Sequence, residues 1–256
     1  RFDKTYDGNA NVTQSLTKGG NYTLTGFVGT EGTGIELKSA TGRYADKNAG
    51  TDKNVTFDGL SLTGTGAGNY ALDKSALTGT GTITRRALTL GAVGAQSKTY
   101  DGTIAADASK FRAALGNAIA GDDVKAAAAT ATFNDKNVAA ANRIDYTGVA
   151  LAGADVSNYS LAATTAQGAG TITPRDLTLT ADAASVTQGE PLPAFTGKAQ
   201  GFADGEDGSV FGADGVTFMT AVADTNTPGS YAIIGKAGGV TDGVLGNYRI
   251  RQAAGN

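Results

Sequence analysis

The sequence predicts an all-β or β-dominated fold, a tandem array of three small β-sandwich-like or β-grasp-like modules forming an elongated rod. Three observations carry this expectation. Apolar residues alternate with polar ones in short runs bounded by Gly, Asn and Asp, the pattern of half-buried strands between turns. With 38 Gly in 256 residues and only 18% charged residues, the composition favours many turns over long helices. A block of motifs also recurs along the chain in a fixed order, which points to repeated architecture.

The recurrence is direct. Lys4-Thr5-Tyr6-Asp7-Gly8 returns as Lys98-Thr99-Tyr100-Asp101-Gly102, and Tyr44-Ala45-Asp46-Lys47-Asn48 returns as Phe133-Asn134-Asp135-Lys136-Asn137. Asn69-Tyr70-Ala71-Leu72 returns as Asn158-Tyr159-Ser160-Leu161, and Gly81-Thr82-Ile83-Thr84 as Gly170-Thr171-Ile172-Thr173, each 89 residues later. Asn247-Tyr248, in a more divergent third segment, lies a further 89 residues beyond Asn158. That segment carries Gln188-Gly189-Glu190-Pro191-Leu192-Pro193 in place of the Lys-Thr-Tyr-Asp-Gly opening.

Within the first copy, strands are expected at Val55-x-Phe57, Leu60-x-Leu62, Tyr70-x-Leu72 and Thr82–Thr84. Leu88-x-Leu90 opens the second copy, with Ile144-x-Tyr146 and Val149-x-Leu151 following; Tyr231-x-Ile233 and Tyr248-x-Ile250 serve the third. The period of two puts alternate side chains on one face. One helix is expected around Asp107–Ile119, where Phe111, Leu115 and Ile119 recur at i, i+4 and i+8 in Ala-rich sequence. Module boundaries fall at Arg85-Arg86 and Pro174-Arg175, giving 1–85 with its opening strand missing, 86–174, and 175–256 with its closing strand missing. On this reading the chain is excised from a longer array. Joints of a residue or two leave little freedom, so neighbouring modules are expected to be semi-rigidly coupled.

Composition narrows the chemistry. Cys, His and Trp are absent, which removes disulfides, thiolate nucleophiles, histidine bases and the usual zinc or copper ligands. Asp, Glu, Lys and Tyr are the remaining acid-base groups, and tandem copying of small modules argues against an enzyme. A net charge of -3 without a basic run gives no nucleic-acid footprint. There is no apolar stretch near membrane-spanning length and no signal-like start, so no membrane insertion is expected and any export address lies outside the sequence given.

Two groups of residues are candidates for binding. The repeated tyrosines Tyr6, Tyr70, Tyr100, Tyr159 and Tyr248 have rings on which a polysaccharide or cell-surface glycan would stack; otherwise they are core plugs with tied hydroxyls. Asp122, Asp123, Asp204, Glu206 and Asp207 supply hard oxygen ligands suited to a weak extracellular calcium site, although they do not fit a helix-loop-helix calcium loop. Otherwise no cofactor is expected. Asp122-Asp123 and Asp204–Asp207 occupy corresponding places after Ile119-Ala120-Gly121 and Phe202-Ala203, with Phe27–Glu31 as the first-copy version. Such recurrence favours a structural role. For the chain as a whole, the expected partners include neighbouring repeats of the same chain. The Asp-Gly and Asp-Lys-Asn motifs are read as turns.

The Lys-Thr-Tyr-Asp-Gly openings, the Asp-Lys-Asn motif, the late Asn-Tyr and the Gly-Thr-Ile-Thr-Pro-Arg exit resemble YDG-type repeats of large bacterial exoproteins. The third segment is similar to the associated MBG-type repeat. Such repeats occur in filamentous-haemagglutinin-like, two-partner-secreted adhesins and biofilm matrix proteins. The resemblance implies a secreted or cell-surface location on a Gram-negative bacterium, export by an outer-membrane partner, and a non-catalytic role as stalk or spacer in adhesion or matrix assembly. A polysaccharide or host-glycan binding module, with or without calcium, is the alternative. The resemblance supplies no catalytic residues.

Overall fold

A computed structural model describes residues 1–39, 41–238 and 244–253. The alternating runs become short strands. The first repeat contributes β1 (Phe2–Thr5), β2 (Glu36–Lys38), β3 (Thr41–Tyr44), β4 (Gly50–Asp58), β5 (Ser61–Thr63) and β6 (Leu77–Thr84). The second contributes β7 (Arg86–Thr99), β8 (Ala113–Gly116), β9 (Lys125–Ala127), β10 (Thr130–Phe133), β11 (Arg143–Thr147), β12 (Ala150–Ala152), β13 (Tyr159–Leu161) and β14 (Thr165–Thr173). The third segment holds β15 (Arg175–Ala181), β16 (Gly197–Gln200), β17 (Val216–Thr220), β18 (Ile233–Ala237) and β19 (Tyr248–Ala253).

These elements gather into two compact units whose limits differ from those of the repeats. One unit comprises Arg1–Gly91, Ala113–Ala127 and Ala150–Thr164; the other comprises Ala92–Arg112, Ala128–Val149 and Thr165–Asn256. Residues of the second repeat therefore serve both.

In the first unit, β1 lies parallel to β6, and β6 continues antiparallel through β4 to β3. The alternation in β4 turns Val55 and Phe57 inward while Asn54 and Asp58 remain exposed. They join Phe2, Tyr44 and Ile83 in a buried apolar cluster that extends to Tyr6, Leu88 and Tyr159. The first part of β7, from Arg86 to Leu88, lies parallel to β13, so this core is shared by residues of two repeats. Gly81 on β6 is required by crowding: a Cβ there would fall 1.8 Å from the Phe2 carbonyl oxygen and 2.9 Å from the Tyr44 ring.

In the second unit the same pattern is laid down again. The later part of β7 runs parallel to β14 with Thr99 opposite Thr173, as Thr5 lies opposite Thr84 in the β1–β6 pair. Strand β14 continues antiparallel through β11 to β10, with Phe133 opposite Ile144 where β3 and β4 place Tyr44 opposite Val55. Phe133, Ile144, Tyr146 and Ile172 are buried. Strand β15 sits between β16, antiparallel, and β19, parallel, with Leu177 and Leu179 fully buried.

The helix expected over 107–119 is replaced by a 3-10 turn at Ala108–Lys110 and by β8. The Asp107 carboxylate caps the start of this turn, accepting from the Ser109 backbone N–H at 2.9 Å. The apolar spacing had a different cause from an amphipathic helix. Phe111 is buried edge-on against Tyr146 in the second unit, while Leu115 and Ile119 pack on the core cluster of the first. Strand β8 takes up the backbone hydrogen bonds by pairing with β7, a competing partner that local propensity cannot anticipate. The β-grasp alternative needs a helix lying across a sheet, and among the described residues the one α-helix is the four-residue turn Val244–Asn247. Tyr70-x-Leu72 and Tyr231-x-Ile233 also depart from expectation, since Tyr70–Leu72 is loop and the latter strand begins only at Ile233.

Burial ranks these positions. Truncating Ile144, 0% exposed, to Ala removes packed methyl groups and is expected to cost about 2–5 kcal/mol. Ile234→Ala, at a residue 47% exposed, is expected to change stability by no more than about 0.5 kcal/mol. Chemical denaturation of the two variants beside the parent checks the ranking.

Candidate functional site

The repeated motifs converge on a single type of site, built once in each compact unit. It begins where β1 and β7 end. The N–H of Tyr6 donates to the Thr84 carbonyl at 2.9 Å, and that of Tyr100 to Thr173 at 2.9 Å, so each tyrosine leaves the sheet at the same point. The following Asp and Gly make the turn, with Gly8 at φ +83 and Gly102 at φ +80, values that suit a residue without Cβ. The motif lysine braces this turn. Lys4 Nζ donates to Asp7 Oδ1 at 2.7 Å and to the carbonyls of Asn9 and Asn11 at 2.8 and 2.9 Å. Lys98 Nζ repeats the arrangement on Asp101 Oδ1 and the carbonyls of Thr103 and Ala105.

Each projecting tyrosine meets a carboxylate from the next segment of sequence. In the first unit the hydroxyls of Tyr6 and Tyr159 both donate to Asp122 Oδ2, at 2.7 and 2.6 Å. Their rings pack edge to face with centroids 5.4 Å apart, and Lys47 Nζ lies 3.6 Å from Asp122 Oδ1. The Tyr159 oxygen accepts in turn from the Ile119 backbone N–H at 3.0 Å. In the second unit Tyr100 donates to Glu206 Oε1 at 2.7 Å, Tyr248 donates to Glu206 Oε2, and the Tyr248 oxygen accepts from the Ala203 N–H at 2.9 Å. The rings of Tyr100 and Tyr248 are again edge to face at 5.4 Å.

A second contact lies beside each of these. The Asp46-Lys47-Asn48 and Asp135-Lys136-Asn137 segments are Asx turns, in which Asp46 Oδ1 accepts from the Asn48 N–H at 2.8 Å and Asp135 Oδ1 from the Asn137 N–H at 2.7 Å. The buried amide of Asn158 reads the first turn: its Oδ1 accepts from the Ala49 N–H at 2.9 Å and its Nδ2 donates to Asn48 Oδ1 at 3.3 Å. Asn247 does the same to the second, accepting from the Val138 N–H at 2.8 Å and donating to Asn137 Oδ1 at 2.7 Å. Both Asn side chains are 1% exposed, so these hydrogen bonds are what makes their burial tolerable.

The placement of the tyrosines corrects their reading as sugar-stacking platforms. Tyr6, Tyr100, Tyr159 and Tyr248 are between 0% and 4% exposed, and their rings face other side chains. Tyr70 alone is half-buried, with its hydroxyl donating to Glu31 Oε2 at 2.5 Å. Among the acidic candidates, Asp122 and Glu206 receive tyrosine hydroxyls. Asp123 accepts from the Ala154 N–H at 2.9 Å, Asp207 caps the Gly208–Phe211 turn through the Ser209 N–H, and Asp204 is exposed. Among the described residues no three acidic side chains are grouped as metal ligands. Asn158 and Asn247 were visible in the sequence as parts of a motif, and their 89-residue spacing, equal to that between Asp46 and Asp135 of the two turns, was the signal that each Asn and one turn recur as a set.

Electrostatics follow from burial. Removal from water, reinforced by the Asp122 carboxylate, pushes the Tyr159 hydroxyl up to about 12 from an ordinary value of 10.0; burial likewise raises Tyr248 to about 12, with Glu206 adding to it. Tyr6 and Tyr100 are raised still further for the same reasons. The Tyr159 hydrogen bond holds the Asp122 carboxyl below the usual range, against its own desolvation and with help from Tyr6 and Lys47.

These groups set expected outcomes. Asn247→Ala leaves the Val138 N–H without its acceptor and is expected to cost about 1–3 kcal/mol, measured by chemical denaturation. Tyr100→Phe removes one of two hydroxyl donors from a shielded carboxylate and is expected to cost a similar amount, about 1–3 kcal/mol. As pH rises from 10 to about 12, the unfolded chain releases tyrosine protons that Tyr159 and Tyr248 retain in the folded state. The unfolded state then binds fewer protons, so this stability is full below pH 10 and declines across that window. Asp122 acts in the opposite direction, its contribution fading as pH falls through the acidic range below 3.8. A series of denaturation midpoints against pH tests both signs.

Comparison with curated proteins and with solved structures gave no match. Family comparison was informative: the YDG domain matches residues 1–78 and again 84–166, and the MBG domain (YGX type) matches residues 177–256. The chain therefore belongs to the YDG domain family, with two YDG domains followed by an MBG domain.

Proposed function

We propose that this chain is a non-catalytic spacer of a secreted or surface-exposed bacterial adhesin, whose task is to hold successive repeats in a fixed relation while other regions make contact. One observation carries this reading: in both compact units the shared tyrosine, carboxylate and asparagine motifs meet across repeats, through Tyr6 on Asp122, Tyr100 on Glu206, Asn158 on the Ala49 N–H and Asn247 on the Val138 N–H. A ligand site built from them would have to break those contacts first. YDG and MBG domains suit a repeat or adhesin-type module, and a chain without Cys folds without an oxidising environment. Export by a two-partner route and a place in biofilm matrix belong to the same proposal and rest on the resemblance of the motifs.

The test is a screen of the full chain against immobilised glycans and matrix polysaccharides, with calcium and again with chelator. No saturable binding is expected in either condition. Saturable, chelator-sensitive binding of one sugar class would replace the spacer by an adhesive module. In the same preparation, Asn158→Ala combined with Tyr6→Phe is expected to raise protease nicking near Asn48 and Asp122 severalfold, because local opening rather than global unfolding exposes those loops.

A further inference from the structure

The first repeat carries the receiving half of the same joint. Tyr70 follows the 3-10 turn Ala67–Asn69 as Tyr159 follows Val156–Asn158. Its hydroxyl donates to Glu31 Oε2 and accepts from the Val28 N–H at 3.2 Å, which is the relation of Tyr248 to Glu206 and Ala203. Its ring meets Phe27 edge-on at 5.1 Å, as Tyr248 meets Phe202 at 5.7 Å. In all three segments the carboxylate stands three residues beyond the donating N–H.

The difference is coverage. Asn69 is exposed where Asn158 and Asn247 are each 1% exposed, and Tyr70 is half-buried where its counterparts are buried. Val28 occupies the place of Ile119, whose Cγ2 lies 3.0 Å from a Cβ built on Gly8, and of Ala203, 3.6 Å from one built on Gly102. It is 71% exposed, the most exposed large apolar side chain among the described residues. Among those residues Glu31 Oε1, the counterpart of the oxygen that Tyr100 binds on Glu206, receives no hydrogen bond. Tyr70–Leu72 forms no strand, whereas Tyr159–Leu161 pairs parallel with Arg86–Leu88.

We propose that the face formed by Val28, Glu31, Asn69 and Tyr70 is a docking surface for the Lys-Thr-Tyr-Asp-Gly end of another YDG repeat. The incoming tyrosine hydroxyl binds Glu31 Oε1, the adjoining glycine lies flat on Val28, and Asn69 reads the Asp-x-Asn turn. The strand that follows the incoming repeat runs beside Tyr70–Leu72. The occupant is defined by chemistry, since the two covered examples in this chain present the same four features to their partners. The inference rests on that joint geometry and stands whether or not the chain acts as a spacer.

The experiment extends the full chain by repeating residues 95–183 ahead of Arg1, which supplies a Lys98–Gly102 end, an Asp135–Asn137 turn and a following strand in register. Backbone exchange is read at Val28, Ala71 and Leu72, which occur once in the extended chain; β4 and β6 serve as the folding check. Exchange at these amides is expected to slow by at least about tenfold relative to the 256-residue chain. Glu31→Gln is expected to reverse most of that protection at Ala71 and Leu72 in the extended chain, measured against the 256-residue chain carrying the same substitution. Equal exchange in the two chains, with β4 and β6 protected in both, overturns the proposal. Protection that is present in the 256-residue chain and rises with its concentration assigns the face to a second copy, and also overturns it.

Discussion

A part-buried carboxylate needs hydrogen-bond donors to replace the water it gives up, and in this protein the donors come from two different repeats. Asp122 takes one hydroxyl from Tyr6 and one from Tyr159; Glu206 takes one from Tyr100 and one from Tyr248. Hydroxyl-to-carboxylate bonds are short and charge-assisted, and an anion deprived of one donor keeps the full cost of its desolvation. The two halves therefore stabilise each other's burial: the tyrosine rings shield the carboxylate, and the carboxylate satisfies hydroxyls that the core would otherwise strand. Much of what surrounds them follows from this pairing. The lysine-braced turn fixes the first tyrosine, the backbone N–H three residues before the carboxylate fixes the second, and the asparagine next to the second tyrosine secures the neighbouring loop.

The consequence for assembly is that core and joint are continuous. Leu88 and Tyr159, both from the second repeat, belong to the same buried cluster as Phe2, Val55 and Ile83 from the first. Conventional linkers separate modules by exposed, polar residues and leave them free to reorient. Here the connection after Thr84 passes through Arg85 directly into β7, and the guanidinium of Arg86 donates to the Asn117 carbonyl at 2.6 Å. Opening such a joint exposes apolar surface and unpairs a carboxylate in one event, which gives it cooperativity with folding itself.

How much of this the sequence disclosed depends on the distance over which the information travels. Strands such as β4 and β11 were legible because alternation is a local property: Val55-x-Phe57 and Ile144-x-Tyr146 carry their burial pattern within three residues. Phe111, Leu115 and Ile119 misled because their helical spacing was local while their packing partners were remote. The site shows the same division more sharply. Tyr6, Tyr159 and Asp122 each stood out as repeated or clustered, yet the pairing of Tyr6 with Asp122 spans 116 residues. Chemistry of residue types suggested sugar stacking for the rings and calcium for the acids. Taken as one set, the tyrosine of one repeat and the carboxylate of the next satisfy each other.

The two joints also show how the interaction tolerates drift. In one, a short Asp122 accompanies a bulky Ile119 against Gly8; in the other, a longer Glu206 accompanies a small Ala203 against Gly102. At Gly102 it is the Glu206 Oε1 atom, 3.3 Å from a built Cβ, that comes closest, whereas at Gly8 it is the Ile119 methyl at 3.0 Å. Either way the space over the glycine is taken, by a carboxylate arm or by an aliphatic side chain. The glycine itself has two constraints, a positive φ and the absence of room for a side chain, and neither depends on which filler is present. The carboxylate-filler pair is therefore free to exchange length for bulk, while the tyrosine, the glycine and the asparagine are each held by geometry that no single substitution reproduces.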